Sequence, residues 1–315
     1  MAGTIMHLVI ADQLLEQLGI QNPGYFYCGN LAPDAIMNRK NFVREMKRHT
    51  HFKDGIRLHE LRIPENFKVY LERLNTFYQT LVAVPDPHHE IYFGYLTHML
   101  VDELYVLHFR DDFVDRIVAE GMEPTDEEFF RIYTKDVYLV DLELVRTYDF
   151  HYPMPETLRI KESYEIPGLV TAQELLDSKE FIINMNFGKA GARKKPHAED
   201  APLSGEQPHA EDAPFSGEQP HAEDAPFSGE QPRTEDAPVI KVRLSMEEVC
   251  EVKKEQSALD APCSEDEIKK FYFPDISDQF SKELKVMTMQ QNLDFIELCV
   301  REVPRILRER YGLCF

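Results

Sequence analysis

The stretch Tyr92-Phe-Gly-Tyr-Leu-Thr-His98-Met-Leu-Val-Asp102-Glu-Leu-Tyr-Val-Leu-His108 constrains this chain more than any other. Its residues are apolar on nearly every side, so as a helix it has no face to give to water and must lie deep in a bundle. Within it, His98 and Asp102 stand four residues apart, which places them on one helix face. A buried carboxylate is costly unless it is paired or bound to a cation. Two readings stay open at this point: a His–Asp hydrogen bond that only fixes packing, or half of a metal site. Gly94, one turn earlier on that face, is expected to leave open space above an ion.

Helical spacing recurs elsewhere. Thr4 is placed to cap a helix running to about Gly19, with Ile5, Leu8, Val9, Leu15 and Leu18 toward one side. Pro64 opens a second helix, where Phe67, Tyr70, Leu71, Leu74, Phe77, Tyr78 and Leu81 keep helical register. The apolar helix is expected over Glu90 to Phe109. Thr125 with Glu128 three residues on reads as a capping box for a helix to about Tyr148. Thr171 to Phe187 gives a shorter amphipathic helix, and Asp275 to Arg310 one or two more, with Pro304 forcing a kink or break. Only Val239 to Leu244 alternates like a strand. The expected fold is therefore all-α, a multi-helix bundle with 20 Phe and 14 Tyr to fill its core.

A twelve-residue repeat interrupts this pattern: PHAEDAPLSGEQ from Pro196, PHAEDAPFSGEQ from Pro208 and again from Pro220, then a degenerate PRTEDAP from Pro232. Each full copy holds two prolines, one glycine and three acids around one large apolar residue, too little to offset the entropy of ordering. The expected division is a helical domain over 1–187, a disordered acidic linker over 188–239, and a C-terminal helical segment over 240–315 that packs on the first domain. His197, His209 and His221 recur beside acids in the repeat and read as part of a solvated spacer. Between Pro196 and Pro238 eleven acids face one base, Arg233, so this segment carries −10 of the net −21 and the remainder −11.

That balance argues against a default affinity for nucleic acid or anionic lipid. The first basic residue is Arg39, so no basic region precedes the apolar stretch Ile5 to Ala11, and a secretory signal is not expected. No run approaches the ~18 apolar residues that span a bilayer. The five cysteines (Cys28, Cys250, Cys263, Cys299 and Cys314) form neither a CxxC pair nor a disulfide framework. A cytoplasmic location is the expectation.

Further residues bear on the metal reading. His7 stands between Met6 and Leu8 in the first helix, and Asp34 follows Pro33 in what reads as a loop, Gly29-Asn-Leu-Ala-Pro33. His51 lies in the short polar stretch His49-Thr-His51-Phe-Lys-Asp54. Neutral imidazoles mixed with carboxylates suit zinc, with iron or manganese also accommodated. Taken singly, His7 reads equally as a helix residue, Asp34 as a turn acid and His51 as a surface group. His49 is a second choice for the role of His51. His59, His88 and His89 read as exposed or capping groups, and His151 has no visible partner. No nucleophilic serine motif, P-loop or dinucleotide fingerprint is present.

In order and spacing, Met6-His7-Leu-x-Ile-Ala11, Gly29-Asn-Leu-Ala-Pro-Asp34, Thr50-His51-Phe52 and Gly94-Tyr-x-x-His98-x-x-x-Asp102 resemble the zinc-dependent phospholipase C family, which shares its fold with S1/P1-type nucleases. The resemblance implies that Asp34, His51, His98 and Asp102 form one metal site, that His7 reaches a neighbouring ion through a shared Asp102, and that Asp34 is the favoured general base. It implies one to three Zn2+ ions and hydrolysis of a phospholipid or soluble phosphoester by zinc-activated water. Secreted members use their mature N-terminal residue as a ligand, whereas Met1 here lies six residues before His7. His108 matches a further family ligand, but ten residues of ideal helix turn it roughly 80° from His98. The family's later HxxxE pair has no counterpart, and Asp136 and Asp141 are the candidates to replace it. The competing functions are a catalytically silent helical metal-binding or scaffold protein, and an S1/P1-like nuclease.

Deleting residues 196–238 should leave metal content unchanged and move the melting temperature by less than ~3 °C, because a long flexible insertion adds little closure entropy. A much larger fall on thermal unfolding would mean that the repeats pack.

Overall fold

The structure, a computed structural model, describes residues 2–83, 89–119, 121, 127–160, 164–188, 284 and 286–315. All of these belong to one compact unit that joins both ends of the chain. The acidic repeat, the strand candidate at 239–244, the cap at Thr125 and His88 lie outside the described residues.

Ten α-helices are described, with single 3-10 or π turns between them and no strand among the described residues. They are α1 Thr4–Leu14, α2 Pro23–Ala35, α3 Arg44–Thr50, α4 Pro64–Phe77, α5 His89–His108, α6 Arg110–Ala119, α7 Glu127–Thr147, α8 Met154–Leu158, α9 Ala172–Ile182 and α10 Met289–Tyr311. The all-helical expectation holds, with local corrections. α1 is capped at Gly3 rather than Thr4 and ends at Leu14, five residues before Gly19. Pro304 breaks nothing: α10 continues through it. A proline forfeits one backbone hydrogen bond, and the buried face on both sides of it, Phe295, Ile296, Cys299, Val303, Ile306 and Leu307, holds the helix to the core.

α5 is the axis of the bundle. Every residue from Phe93 to Val106 is buried, as a helix apolar all round requires. It packs against α1, α2, α6 and α10, and α1 in turn packs against α2, α7 and α10. Arg310 of α10 donates through Nη1 and Nη2 to both carboxylate oxygens of Glu103 at 2.8 and 2.7 Å, fixing the C-terminal helix one residue past Asp102. Tyr78 Oη reaches the Tyr311 carbonyl at 3.1 Å, and the Phe315 ring stacks on Phe93.

The tightest packing joins α2 to α5. A Cβ on Gly29 would stand 2.0 Å from the Ile91 carbonyl oxygen and 2.9 Å from Gly94 Cα; a Cβ on Gly94 would stand 2.1 Å from the Phe26 carbonyl oxygen. The two helices therefore touch backbone to backbone. The role expected of Gly94 is corrected accordingly: it leaves no space above an ion and instead admits α2. Gly29→Ala should destabilise the protein by at least ~2 kcal/mol, since the added methyl must push main chain aside. Chemical denaturation giving a loss under ~0.5 kcal/mol would show that the helices are not in this contact.

Candidate metal centre

Five polar side chains meet where α1, α2, α3 and α5 converge: His7, Asp34, His51, His98 and Asp102. Each is buried, Asp34 being the least enclosed at 9% exposed. They come from four segments spread over 96 positions of sequence, and each is held by its own backbone device.

His98 is aimed by the α2–α5 contact. Its Nδ1 lies 2.7 Å from the Asn30 carbonyl; a carbonyl only accepts, so Nδ1 carries the proton and Nε2 keeps its lone pair toward the centre. His51 repeats the arrangement, with Nδ1 donating to the Lys47 carbonyl at 2.8 Å. It is the C-cap of α3, and the chain then turns through Phe52 at φ +55°, where the N–H of Phe52 returns to the His49 carbonyl at 3.1 Å and that of Lys53 to Arg48 at 2.8 Å. This is a Schellman ending with phenylalanine where glycine is usual. The ring offsets the left-handed strain by packing on Phe77 and Tyr95 at 5.2 and 5.9 Å. Thr50 Oγ1 donates to the Pro33 carbonyl at 2.8 Å, and the Tyr95 hydroxyl donates to the Thr50 carbonyl, so α3 is tied to α2 and to α5 beside His51.

Asp34 is not in a loop. It occupies the last turn of α2, which runs through Pro33, and this corrects the sequence reading. His7 stacks on His98 with ring centroids 3.8 Å apart and 4° between planes. Asp102 stands between two histidines, Oδ1 lying 3.6 Å from His7 Nε2 and Oδ2 3.6 Å from His51 Nε2. Asp34 Oδ1 lies 3.2 Å from His51 Nε2.

The hydrogen-bond inventory of this cluster is lopsided. Both ring nitrogens of His7, Nε2 of His51, Nε2 of His98 and Oδ1 of Asp102 are buried with no hydrogen-bond partner. Lone pairs facing lone pairs in a dry place are what a bound cation satisfies. Two overlapping sets bring their donor atoms within 4.8 Å of one another, His7 with His98 and Asp102, and Asp34 with His51 and His98. These residues therefore fit a metal site of nitrogen and oxygen donors.

Ionisation agrees with that fit. Burial, reinforced by His7, holds His98 well below the usual imidazole range, and burial lowers His51 despite Asp34 beside it. Both rings are thus neutral, as ligands must be. Burial alone would raise Asp34, but the Lys47 ammonium and His51 outweigh it and hold the carboxyl well below the usual range. At Asp102 burial is likewise outweighed, by Lys53 first and the histidines next.

The remaining candidates stand elsewhere. His108 is exposed at the C-terminal end of α5, where ten residues of helix rotate it away from His98 and carry it roughly 15 Å along the axis. Asp136 is buried, but Oδ2 accepts the Val286 N–H at 2.7 Å. Asp141 caps α1: Oδ1 accepts the Met6 N–H at 3.1 Å, and a Cβ on Gly3 would strike the same carboxylate. Burial pushes Asp141 up to about 7 against the pull of the Ile5, Met6 and Thr4 amides. Each of these carboxylates thus accepts a backbone amide. His49 pairs with Asp54 at 3.1 Å and is exposed, leaving the position to His51. His151 does have a partner, the buried Asp12, 2.8 Å from its Nδ1.

Sequence reasoning missed Lys47 and Lys53. Lys47 Nζ lies 2.7 Å from Asp34 Oδ1, and Lys53 Nζ lies 3.5 Å from Asp102 Oδ2. The signal for Lys47 was its place four residues before His51, on one face of a helix.

The family model described as zinc dependent phospholipase C matches residues 6–138, which include all five members of the centre. Over that region the chain is similar to the zinc-dependent phospholipase C family. No curated protein and no solved structure matches the chain. No helix among the described residues is long and apolar enough to cross a membrane.

Proposed function

We propose that this protein is a metal-dependent phosphoester hydrolase in which His7, Asp34, His51, His98 and Asp102 hold one or two zinc ions. The observation that carries this reading is the set of orphaned lone pairs on His7, His51, His98 and Asp102, buried together within the region similar to the zinc-dependent phospholipase C family. Among the described residues, two overlapping donor sets support up to two ions. Bound zinc supplies Lewis acidity at a phosphoryl oxygen and lowers the pKa of water toward ~7.

The chain's own residues supply the rest. His98 and His51, each steadied by a backbone carbonyl, present fixed Nε2 lone pairs that need no reorganisation. Asp102, fully enclosed, keeps Oδ1 unpartnered as a ligand atom while Oδ2 faces Lys53. Asp34 is the member in reach of solvent, with its side chain 12% exposed, which suits it to orient a water molecule and accept its proton.

One observation favours the silent scaffold as a second reading: both carboxylates already have ammonium partners, so the centre has counter-ions without a metal. Hydrolysis of nitrophenyl phosphocholine separates the two. Activity should vanish with chelator, return with zinc, and fall about 10²-fold or more in Asp34→Asn, the range expected for a lost general base. If metal-replete protein is inactive on phosphodiesters, phosphomonoesters and nucleic acids alike, the silent reading replaces this one; activity on nucleic acid alone would select the nuclease.

A further inference from the structure

Lys47 and Lys53 are placed by the same backbone device that places His51. Lys47 stands one turn before His51 on α3, and Lys53 is the residue whose N–H closes the helix across Phe52. Lys53 is only 3% exposed, a condition lysine seldom meets unless paired, and the carboxylate before it is Asp102. Each acid of the centre thus has its own ammonium group.

The charges of the centre follow. Asp34 and Asp102 contribute two negative charges, Lys47 and Lys53 two positive ones, and the imidazoles are neutral as ligands. Nearby, Glu103 and Arg310 cancel one another. The centre is therefore neutral before any cation enters. In a site whose carboxylates lack such partners, the ion itself is the counter-charge. Here a divalent ion brings two charges that none of these groups balances, in a place where burial makes uncompensated charge expensive.

We propose that Lys47 and Lys53 make the metal ion and an anionic phosphoryl ligand bind as a linked pair, the ion weakly alone and tightly with a phosphate dianion, the charge type of a phosphomonoester. This rests on the metal-centre reading above. Lys47, with its side chain 11% exposed beside Asp34, is placed to meet the oxygens of the anion. Lys53, enclosed against Asp102, acts as a positioning residue through that carboxylate. A phosphodiester, with one negative charge, leaves half of the excess unbalanced.

The test is zinc affinity of the full chain by chelator competition at about pH 8, with phenylphosphonate as the dianion and its monomethyl ester as the monoanion. Phenylphosphonate should tighten zinc at least ~10-fold, and by reciprocity zinc should tighten phenylphosphonate by the same factor, with the monoester giving under ~3-fold. In Lys53→Met and in Lys47→Met, zinc should bind at least ~10-fold tighter without anion, and the gain from phenylphosphonate should shrink below ~3-fold. Lys53→Arg should restore the native coupling. Zinc that binds native protein equally with and without phenylphosphonate overturns the proposal, as does full coupling in both methionine variants. If native protein and variants take up no zinc under any condition, the metal-centre reading fails and takes this inference with it.

Discussion

The backbone contact between α2 and α5 at Gly29 and Gly94 is the constraint on which the centre depends. With side chains at these positions the two axes would stand further apart, and the Asn30 carbonyl would no longer reach His98. The same contact sets the end of α2, and hence Asp34, over the middle of α5. From there Pro33 receives the Thr50 hydroxyl, which ties down the end of α3 and with it His51 and Lys53. One close approach of main chain thus orders three of the four segments that converge. α1 is set by a second device, the Asp141 carboxylate over its first turn, which brings His7 flat against His98.

The energetics of the cluster run against stability. Five polar side chains are removed from water, and several of their atoms recover no hydrogen bond in exchange. Folding tolerates this because the surrounding α5 core is large and apolar and because Lys47, Lys53 and the neutral state of His51 and His98 limit the net charge enclosed. Such a concentration of unsatisfied groups in one place is the pattern of a binding site rather than of a packing core.

The parts of this structure legible in sequence were those governed by local pattern. α5 follows from an unbroken apolar run, α4 from Pro64 and helical spacing, and α9 from the amphipathic spacing after Thr171, where the structure adds a Thr171–Glu174 capping box. His98 and Asp102 on one face follow from the helical repeat alone. What was illegible depends on tertiary contact. α2 reads as a loop because Gly24, Gly29, Asn30 and Pro33 all disfavour a helix in isolation, and it forms because packing against α5 overrides propensity. Gly94 was assigned to the right face but the wrong purpose, since sequence cannot say that Gly29 stands opposite. Asp136 and Asp141 look like free helix acids until Val286 and the first turn of α1 are brought to them from 150 and 135 residues away. The family resemblance pointed to His7, Asp34, His51, His98 and Asp102, which the fold brings together, and to His108, which the helix carries away from them.

The central claim is that these five residues hold a transition metal through nitrogen and oxygen donors. Zinc K-edge X-ray absorption on the purified full-length chain, together with metal quantitation, tests it most directly. In protein loaded with zinc in the presence of phenylphosphonate, the expected result is about one equivalent or more of zinc with a first shell at ~2.0–2.1 Å, no sulfur, and imidazole outer-shell scattering that is lost in Asp102→Ala. Less than ~0.1 equivalent of metal after that loading, or a sulfur shell at ~2.3 Å, would contradict it.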